Sequence, residues 1–339
     1  MSDPGIRAAE KGVVAVERRL RKVYRQAKAE LERTVRDFNL RFARQDAEML
    51  KKVADEIITE EEYRRWLRNT VFRGKQWDAK VNHCVDILAD SNRQALNIIR
   101  GEQLNVFAEN ATYQAYLLEK GAGMNFGFGI YDGKTVSKLL KDQPELLPRK
   151  VLNGVKDRAW NKNKIANAIA SSIIQGDDIK GITKRMTETL AVQDDNAMRR
   201  YARTAMTGAQ NAGRQEMLEE ASEDGIKVKK KWIATLDSRT RDSHQDLDGQ
   251  VVDADEPFEV EVDGEMLEIM FPGDPSAEPC LVYNCRCTLG YVVEGYERKG
   301  QRRAYKEWVD EDGKAHRESY LIDDMSYKEW KEWKQHGGK

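Results

Sequence analysis

One histidine and three cysteines in the last third of the chain are the residues best suited to chemistry. His244 lies in the segment SRTRDSHQDLDGQ, and Cys280, Cys285 and Cys287 lie in the segment PCLVYNCRC. Imidazole and thiolate groups are donors that Zn²⁺ prefers, and three cysteines with one histidine form a usual structural zinc set. These four residues are therefore candidate ligands of a structural zinc ion.

Packing without a metal is the other interpretation of the same residues. The expectation that Cys-x-Cys on a strand points its two side chains to opposite faces, unless a bulge intervenes, favours a core in which a cysteine packs as a small apolar residue. His244 is then hydrogen-bonded beneath the CRC segment. We expect no cofactor, with structural zinc as the alternative.

Catalysis at this cluster is a further alternative. His244 among acidic residues is compatible with a metal-dependent nuclease, in which histidine activates water, or with a base beside a cysteine nucleophile. Such a nuclease needs a second histidine ligand, but His316 and His336 lie outside the cluster. Residues 234–299 also carry 16 acidic and 5 basic residues, which repels nucleic acid. We therefore expect no enzymatic activity, with a nuclease using His244 as the alternative.

The elements that position these residues divide into a helical part and a strand-rich part. Helices avoid interior proline. Only Pro4, Pro144 and Pro148 precede Pro257, whereas four prolines lie within 257–279. Apolar residues near the N-terminus recur every three or four positions with an 11-residue repeat, which predicts one long helix over residues 6–50. The stripe consists of Val16, Leu20, Tyr24, Ala27, Leu31, Val35, Phe38 and Phe42.

After Gly225 the pattern changes to that of strands. KVKKKWIATLD predicts a strand, FEVEVDGEMLEIMF predicts a hairpin that turns at Asp263-Gly264, and CLVYNCRCTLGYVV predicts a further strand. Arg239 or Arg286 is expected to pair with an acidic neighbour. The tetrapeptide YKEW, which begins at Tyr305 and again at Tyr327, predicts two short amphipathic helices.

The predicted fold class is α+β and mostly α, with long N-terminal helices and a helical middle followed by a small module of antiparallel strands. The predicted domains are an N-terminal helical arm (1–120), a helical middle (121–193), the α+β module (194–299) and a Lys/Trp-rich tail (300–339).

Charge and hydropathy exclude several classes of protein. The 57 basic and 58 acidic residues nearly cancel, which excludes a uniformly basic nucleic-acid binder. Residues 1–45 nevertheless carry a net charge of +6, so weak, non-specific contact with double-stranded DNA is expected there. No apolar run approaches the roughly 18 residues of a membrane span, and we expect synthesis in the cytoplasm and no membrane partner.

The order of motifs from Trp232 to Cys287 resembles the Mu F-like minor head proteins of tailed bacteriophages. The resemblance rests on a Trp-bearing strand, Asp237-x-Arg239, His244 before a Leu-x-Gly turn, and the closing Cys-Arg-Cys, and covers about 195–290. Many relatives have Cys-x-x-Cys where this chain has Arg241 and His244, and His-Pro where it has Val282 and Tyr283. The match to that pattern retains His244, Cys285 and Cys287, and Cys280 is a substitute fourth ligand.

The resemblance implies a component of the virion or procapsid interior. Proteins of this family are expected to associate with the portal protein and with other capsid or scaffold proteins. They act in head assembly and in genome packaging or ejection. For this chain these partners and this location are expectations from the resemblance.

Overall fold

The computed structural model describes residues 3–73, 75–123, 125–142, 162–164, 179–294 and 301–336. Its main helices before the strand-rich part are α1 (Pro4–Ala54), α2 (Glu60–Arg73), α3 (Lys75–Ala122), α4 (Gly133–Asp142) and α5 (Ile179–Glu223). The elements after α5 are β1 (Val228–Ile233), α6 (Asp242–Asp246), β2 (Val251–Asp253), β3 (Phe258–Val262), β4 (Glu265–Ile269), α7 (Pro279–Val282), β5 (Thr288–Val293), β6 (Gln301–Val309), β7 (Ala315–Asp323) and α8 (Tyr327–Gln335). The predicted α+β, mostly α fold class is confirmed.

The chain divides into two compact units. One unit contains residues 1–16, 99–149 and 200–339, and the other contains residues 17–98 and 150–199. Among the described residues, no helix is both long enough and apolar enough to span a membrane.

In the unit that contains residues 17–98, α1 is the predicted long helix. Its apolar positions Leu20, Tyr24 and Leu31 are buried, and the Tyr24 hydroxyl donates to Asn92 Oδ1 of α3 at 2.6 Å. Helix α3 therefore packs against this stripe at the described positions. Val35, Phe38 and Phe42 lie outside the described side chains.

In the other unit, α5 supports the sheet and packs closely against α3. A Cβ atom built on Gly213 would lie 2.4 Å from the Phe107 carbonyl oxygen, so only glycine allows this approach. Asn211, which is fully buried on the same helix, accepts from the Leu289 amide at 2.9 Å. It also donates to the carbonyl oxygens of Cys287 at 3.1 Å and Pro272 at 2.7 Å. These bonds fix the loop before β5 to α5.

The strands form small antiparallel sheets. β1 is the middle strand of the order β2-β1-β5, and β3 pairs with β4. Asp263 and Gly264 connect β3 to β4 with φ angles of 53° and 84°. Two successive left-handed residues give the turn that matches the twist of a tight hairpin. This hairpin and its turn are confirmed as predicted.

The predicted strand over CLVYNCRCTLGYVV is wrong in its first half. Pro279 begins the short helix α7, because its fixed φ suits the first helical turn. Asn284 then has φ of 59°, a left-handed conformation that ends the helix. Only Thr288–Val293 form β5, so the CRC segment lies in an irregular loop ahead of the strand.

The helix predicted for the first YKEW segment is also wrong. Tyr305 and Trp308 lie on strand β6, which pairs with β7 through the register Trp308↔His316. The second copy does form a helix, α8, because Ser326 and Glu329 make a reciprocal capping box ahead of it. The tetrapeptide YKEW therefore forms a strand in its first copy and a helix in its second, since the capping box precedes only the second copy.

Candidate metal centre

Three of the four predicted ligands meet in the core of the module. His244, Cys285 and Cys287 are all buried, and one donor atom from each lies within 4.8 Å of the other two. Among the described residues these three form a cluster of metal-binding donors without any carboxylate. The structure thus brings the sequence-predicted histidine and CRC segment together.

Hydrogen bonds determine the orientation of His244. Its Nε2 atom lies 2.9 Å from the Leu281 carbonyl oxygen, which can only accept, so Nε2 carries the proton and donates. Nδ1 then faces Cys287 Sγ at 3.4 Å. The ring also packs edge-on against Trp232, with ring centroids 5.5 Å apart. The imidazole therefore presents Nδ1 to the sulfur atoms.

The loop before β5 turns both thiols towards the core. Thr207 Oγ1 on α5 donates to the Cys285 carbonyl oxygen at 3.0 Å. The left-handed Asn284 immediately precedes this residue. The expectation that a strand would separate Cys285 and Cys287 is wrong, because side chains two residues apart on a strand point to the same face. In this structure the two residues lie in a loop, and both side chains are buried.

Cys280 does not join the cluster. Its side chain is exposed, and it belongs to the first turn of α7. Arg241 is hydrogen-bonded to the carbonyl oxygens of Cys280 and Tyr283. The structure therefore supplies two thiols and one imidazole, without Cys280.

The two thiols have opposite tendencies to ionise. Burial, reinforced by the neighbouring Cys287, raises the pKa of Cys285 well above its ordinary value. Burial also opposes ionisation of Cys287, but its contacts with Cys285 and His244 outweigh burial and lower the pKa of Cys287 well below its ordinary value. Cys287 is therefore the thiol of the pair that ionises more readily, and thiolate and imidazole are donors that bind zinc.

The donors fit zinc in type and in spacing. Zn–S and Zn–N bonds of about 2.3 and 2.0 Å in a tetrahedral site place neighbouring donors roughly 3.5 Å apart. The His244 Nδ1 to Cys287 Sγ distance of 3.4 Å matches that spacing. The bond from Nε2 to a carbonyl oxygen is the outer contact that usually orients a metal-binding histidine.

A nuclease role for His244 finds no support in this geometry. The side chain is buried and both ring nitrogens have partners. His316 stacks on Trp308 and contacts Asp310 on the β6–β7 hairpin. A catalytic base needs a nitrogen within reach of substrate or water.

Two buried carboxylates form a second constellation that sequence reasoning missed. The Asp237 side chain is fully buried and pairs with Arg286 and Arg317. The Asp248 side chain, 1% exposed, pairs with Arg302. The expected pairing of Arg286 is confirmed, and Arg239 pairs with Glu307. No local spacing indicates the pairs with Arg302 and Arg317, because these residues lie 54 and 80 positions away from their partners.

Comparisons with known proteins find a family match for the segment that contains His244, Cys285 and Cys287. Residues 163–290 match the sequence profile of the family described as "Phage Mu protein F like protein". The matched segment begins some thirty residues before the predicted start near 195. No solved structure gives a significant match.

Three curated proteins are similar to parts of the chain. Minor head protein GP7 of Bacillus phage SPP1 is 32% identical over 199 residues, covering 58% of this chain and 62% of that protein. A protein of Enterococcus faecalis named NAD(+)--arginine ADP-ribosyltransferase EFV is 34% identical over 154 residues, covering 42% of this chain and 30% of that protein. Uncharacterized protein YqbB of Bacillus subtilis is 28% identical over 163 residues, covering 44% and 51%. The chain thus spans between about a third and two thirds of each relative.

Proposed function

We propose that the protein is a minor head protein of a tailed phage or prophage, because residues 163–290 match the family described as "Phage Mu protein F like protein". It acts through protein contacts, binding the portal protein and other capsid or scaffold proteins in the procapsid or virion interior. Head assembly and genome packaging or ejection are the steps that it serves. The observation that carries this proposal is the shared segment with a protein named a minor head protein.

The buried chemistry of the module supports a structural role. His244, Cys285 and Cys287 lie in the core, and Asp237 and Asp248 form ion pairs through buried carboxylates. Groups buried in this way offer no surface to a substrate, and removing one partner of a buried ion pair destabilises the fold. We expect no catalytic activity, and the name of the Enterococcus faecalis relative describes that protein.

Co-purification with the portal protein encoded in the same genome tests the proposal. The tagged full chain and the portal protein are co-expressed, and crosslinks between them are located by mass spectrometry. We expect a stable complex with crosslinks that recur at defined positions. A full chain that folds, remains monodisperse and binds neither portal, capsid nor scaffold protein contradicts the proposal.

The basic residues of α1 add a weak contact with double-stranded DNA. Arg18, Arg21 and Arg25 are exposed on this helix and Lys28 is half-exposed. Each phosphate contact that is lost lowers the slope of log affinity against log salt by about 0.9, because counterion release falls with it. Glutamine at all four positions should abolish DNA binding at low salt in a mobility-shift assay.

The matched control for this DNA test changes Lys306 and Lys314 to glutamine. These lysines are exposed on the β6–β7 hairpin and lie outside residues 1–45. The control should bind DNA as the unchanged chain does. Binding that depends on sequence, or that persists above about 200 mM salt, contradicts a contact made by charge alone.

A structural zinc ion held by His244, Cys285 and Cys287 is the second part of the proposal. When bound, zinc would link His244 of α6 to the CRC segment that contains Cys285 and Cys287. Elemental analysis should then find about one zinc per chain, and a chelator should lower the melting temperature because structural metal affinity is folding energy. A Cys287→Ala variant should lose the zinc, whereas Cys280→Ala should retain it.

A metal-free core gives the opposite results. The purified chain would hold no zinc, and a chelator would leave the melting temperature unchanged. Cys287→Ala would then cost about 1–3 kcal/mol, as losses of buried packing and hydrogen bonds usually do. Zinc retained by Cys287→Ala but lost from Cys280→Ala would contradict the proposed ligand set.

A further inference from the structure

The C-terminal segment 301–335 has a core that is almost entirely its own. Buried Ala304, Tyr327 and Trp330 pack with partly buried Tyr320 and Ile322. Within this cluster Leu236 is the member that lies before residue 301. A hairpin and a helix that cover each other in this way can move as one piece.

The backbone joint between the segment and the preceding module is small. One isolated parallel bridge pairs Leu236 with Ala304, and the Tyr305 amide donates to the Leu236 carbonyl oxygen at 3.1 Å. β6 and β7 form their own two-stranded sheet, separate from β2-β1-β5. The joint therefore depends mostly on side chains.

Asp248 is the main side-chain contact in that joint. Arg302 Nη1 donates to Asp248 Oδ2 at 3.0 Å, and the Tyr327 amide donates to the same oxygen at 2.5 Å. On the module side, the Ala234 amide donates to Asp248 Oδ1 at 2.7 Å. The segment thus supplies two of the three groups that surround this buried carboxylate among the described residues.

Asp237 forms the second contact and depends less on the segment. Arg317 Nη2 donates to its carboxylate at 2.7 Å, and the Tyr327 hydroxyl donates to its carbonyl oxygen at 2.8 Å. Arg286, Thr240 and the Arg239 amide also bind the carboxylate from within the module. Asp237 therefore stays paired when the segment leaves.

Opening the joint should cost less than unfolding the module. Asp248 and Arg302 regain water when they separate, so neither charge is left buried and unpaired. The peripheral pairs Arg239–Glu307, Lys231–Asp324 and Arg303–Glu10 are partly exposed, and such pairs contribute little. The sheet β2-β1-β5 loses no ladder partner.

We propose that residues 301–335 are a clasp that occupies, within its own chain, a docking socket formed by Leu236, Asp237 and Asp248. The clasp opens as a unit while β1 and β5 stay folded. Two carboxylates beside one leucine recognise an arginine-bearing segment with an apolar anchor, and the clasp is the segment of that kind that now fills the socket. Opening would free the socket for a segment of the same chemistry from a partner protein.

Hydrogen exchange of the full chain tests the opening. We expect the amides of 301–335 to exchange through one common opening, faster than those of β1 and β5. Asp248→Asn keeps an acceptor for the Ala234 amide but removes the charge that pairs with Arg302. It should speed exchange in the clasp by about tenfold or more and leave β1 and β5 unchanged.

The control variant Arg239→Gln removes an exposed pair and should change clasp exchange by less than about twofold. Exchange of the clasp only together with β1 and β5, in the unchanged chain, would overturn the opening. This measurement needs no variant, so it decides the matter even if Asp248→Asn fails to fold.

A labelled synthetic peptide of residues 301–335 tests the socket. It should bind the full chain carrying Arg302→Gln, whose own clasp is weakened, with at least tenfold higher affinity than a peptide carrying Arg302→Gln. Equal binding of the two peptides, or no binding to a chain whose clasp exchanges rapidly, would overturn recognition through Asp248.

Discussion

Two hairpins of the same unit are held in place by different forces. Phe258 of β3 and Ile269 of β4 lie opposite each other in the register, and both are buried against the module. The β6–β7 hairpin instead places Arg302 and Arg317 on buried carboxylates. The first hairpin is positioned by apolar burial and the second by paired charges.

This difference explains why only one hairpin was predictable. Alternation of apolar and charged residues with an Asp-Gly turn is a local signal, so FEVEVDGEMLEI predicts its own structure. In YKEW, by contrast, the Lys and Glu residues favour a helix, so this segment carries no clear local signal for a strand. Strand β6 forms there because it pairs with β7, which lies outside the YKEW segment.

Removing the Phe258 side chain, which anchors the β3–β4 hairpin, should have the largest effect on stability. Phe258 is fully buried, packs edge-on against Trp232 with centroids 5.4 Å apart and lies under the Lys230 ammonium group. Phe258→Ala should lower the free energy of unfolding by about 3–5 kcal/mol, as large-to-small core changes do. Denaturant unfolding measures this loss.

The exposed Met266, on the outer face of the same hairpin, provides the control. Met266→Ala removes an apolar side chain that is 63% exposed and should change stability by less than about 0.5 kcal/mol. Equal losses from Phe258→Ala and Met266→Ala would show that apolar burial does not anchor this hairpin.

Acid should loosen the β6–β7 hairpin more than the β3–β4 hairpin. Burial opposes the charge of Asp237, but hydrogen bonds and attraction from Arg286 and Arg317 outweigh it and lower the pKa of Asp237. A depressed carboxyl pKa stabilises the fold above the unfolded pKa, about 3.9, and this contribution is lost as pH falls through the folded pKa. Hydrogen exchange of β6 and β7 should therefore rise below about pH 4, more than that of β3 and β4.

Asp237→Asn should flatten this pH dependence. The variant side chain carries no charge at any pH, so its β6–β7 exchange should already be faster at pH 7 and change little on acidification. Acid sensitivity that is identical in both hairpins, or unchanged by Asp237→Asn, contradicts the assignment of the second hairpin to paired charges.

The long helix and the first hairpin could be predicted because their signals lie within a few residues. The Leu20, Tyr24 and Leu31 positions of α1 recur with helical spacing, and the structure buries them. His244 and the CRC segment could be recognised by residue type alone. That the donor atoms of His244, Cys285 and Cys287 lie within 4.8 Å of one another is a tertiary contact, which no spacing rule indicated.

The remaining misses involve residues far apart in sequence. Arg302 reaches Asp248, 54 positions earlier, and Arg317 reaches Asp237, 80 positions earlier. A chain with 57 basic and 58 acidic residues allows very many such pairs. Only the folded arrangement selects among them, because the spacing of charges along the chain does not show which of them the fold brings together.

The smallest expected effect compares the two turns. Gly264 has φ of 84° and Gly313 has φ of 77°, and an added Cβ would meet no atom within 4 Å at either position. Alanine should therefore cost about 1–2 kcal/mol at each through backbone strain alone. Gly264→Ala should lower the denaturation midpoint of the module, since β3 and β4 pack on its core. Gly313→Ala should act on the opening of the clasp and leave that midpoint within error. A midpoint lowered equally by both variants would mean that the β6–β7 hairpin unfolds together with the module. The two hairpins would then differ in the residues that anchor them and would not differ in how cooperatively they unfold.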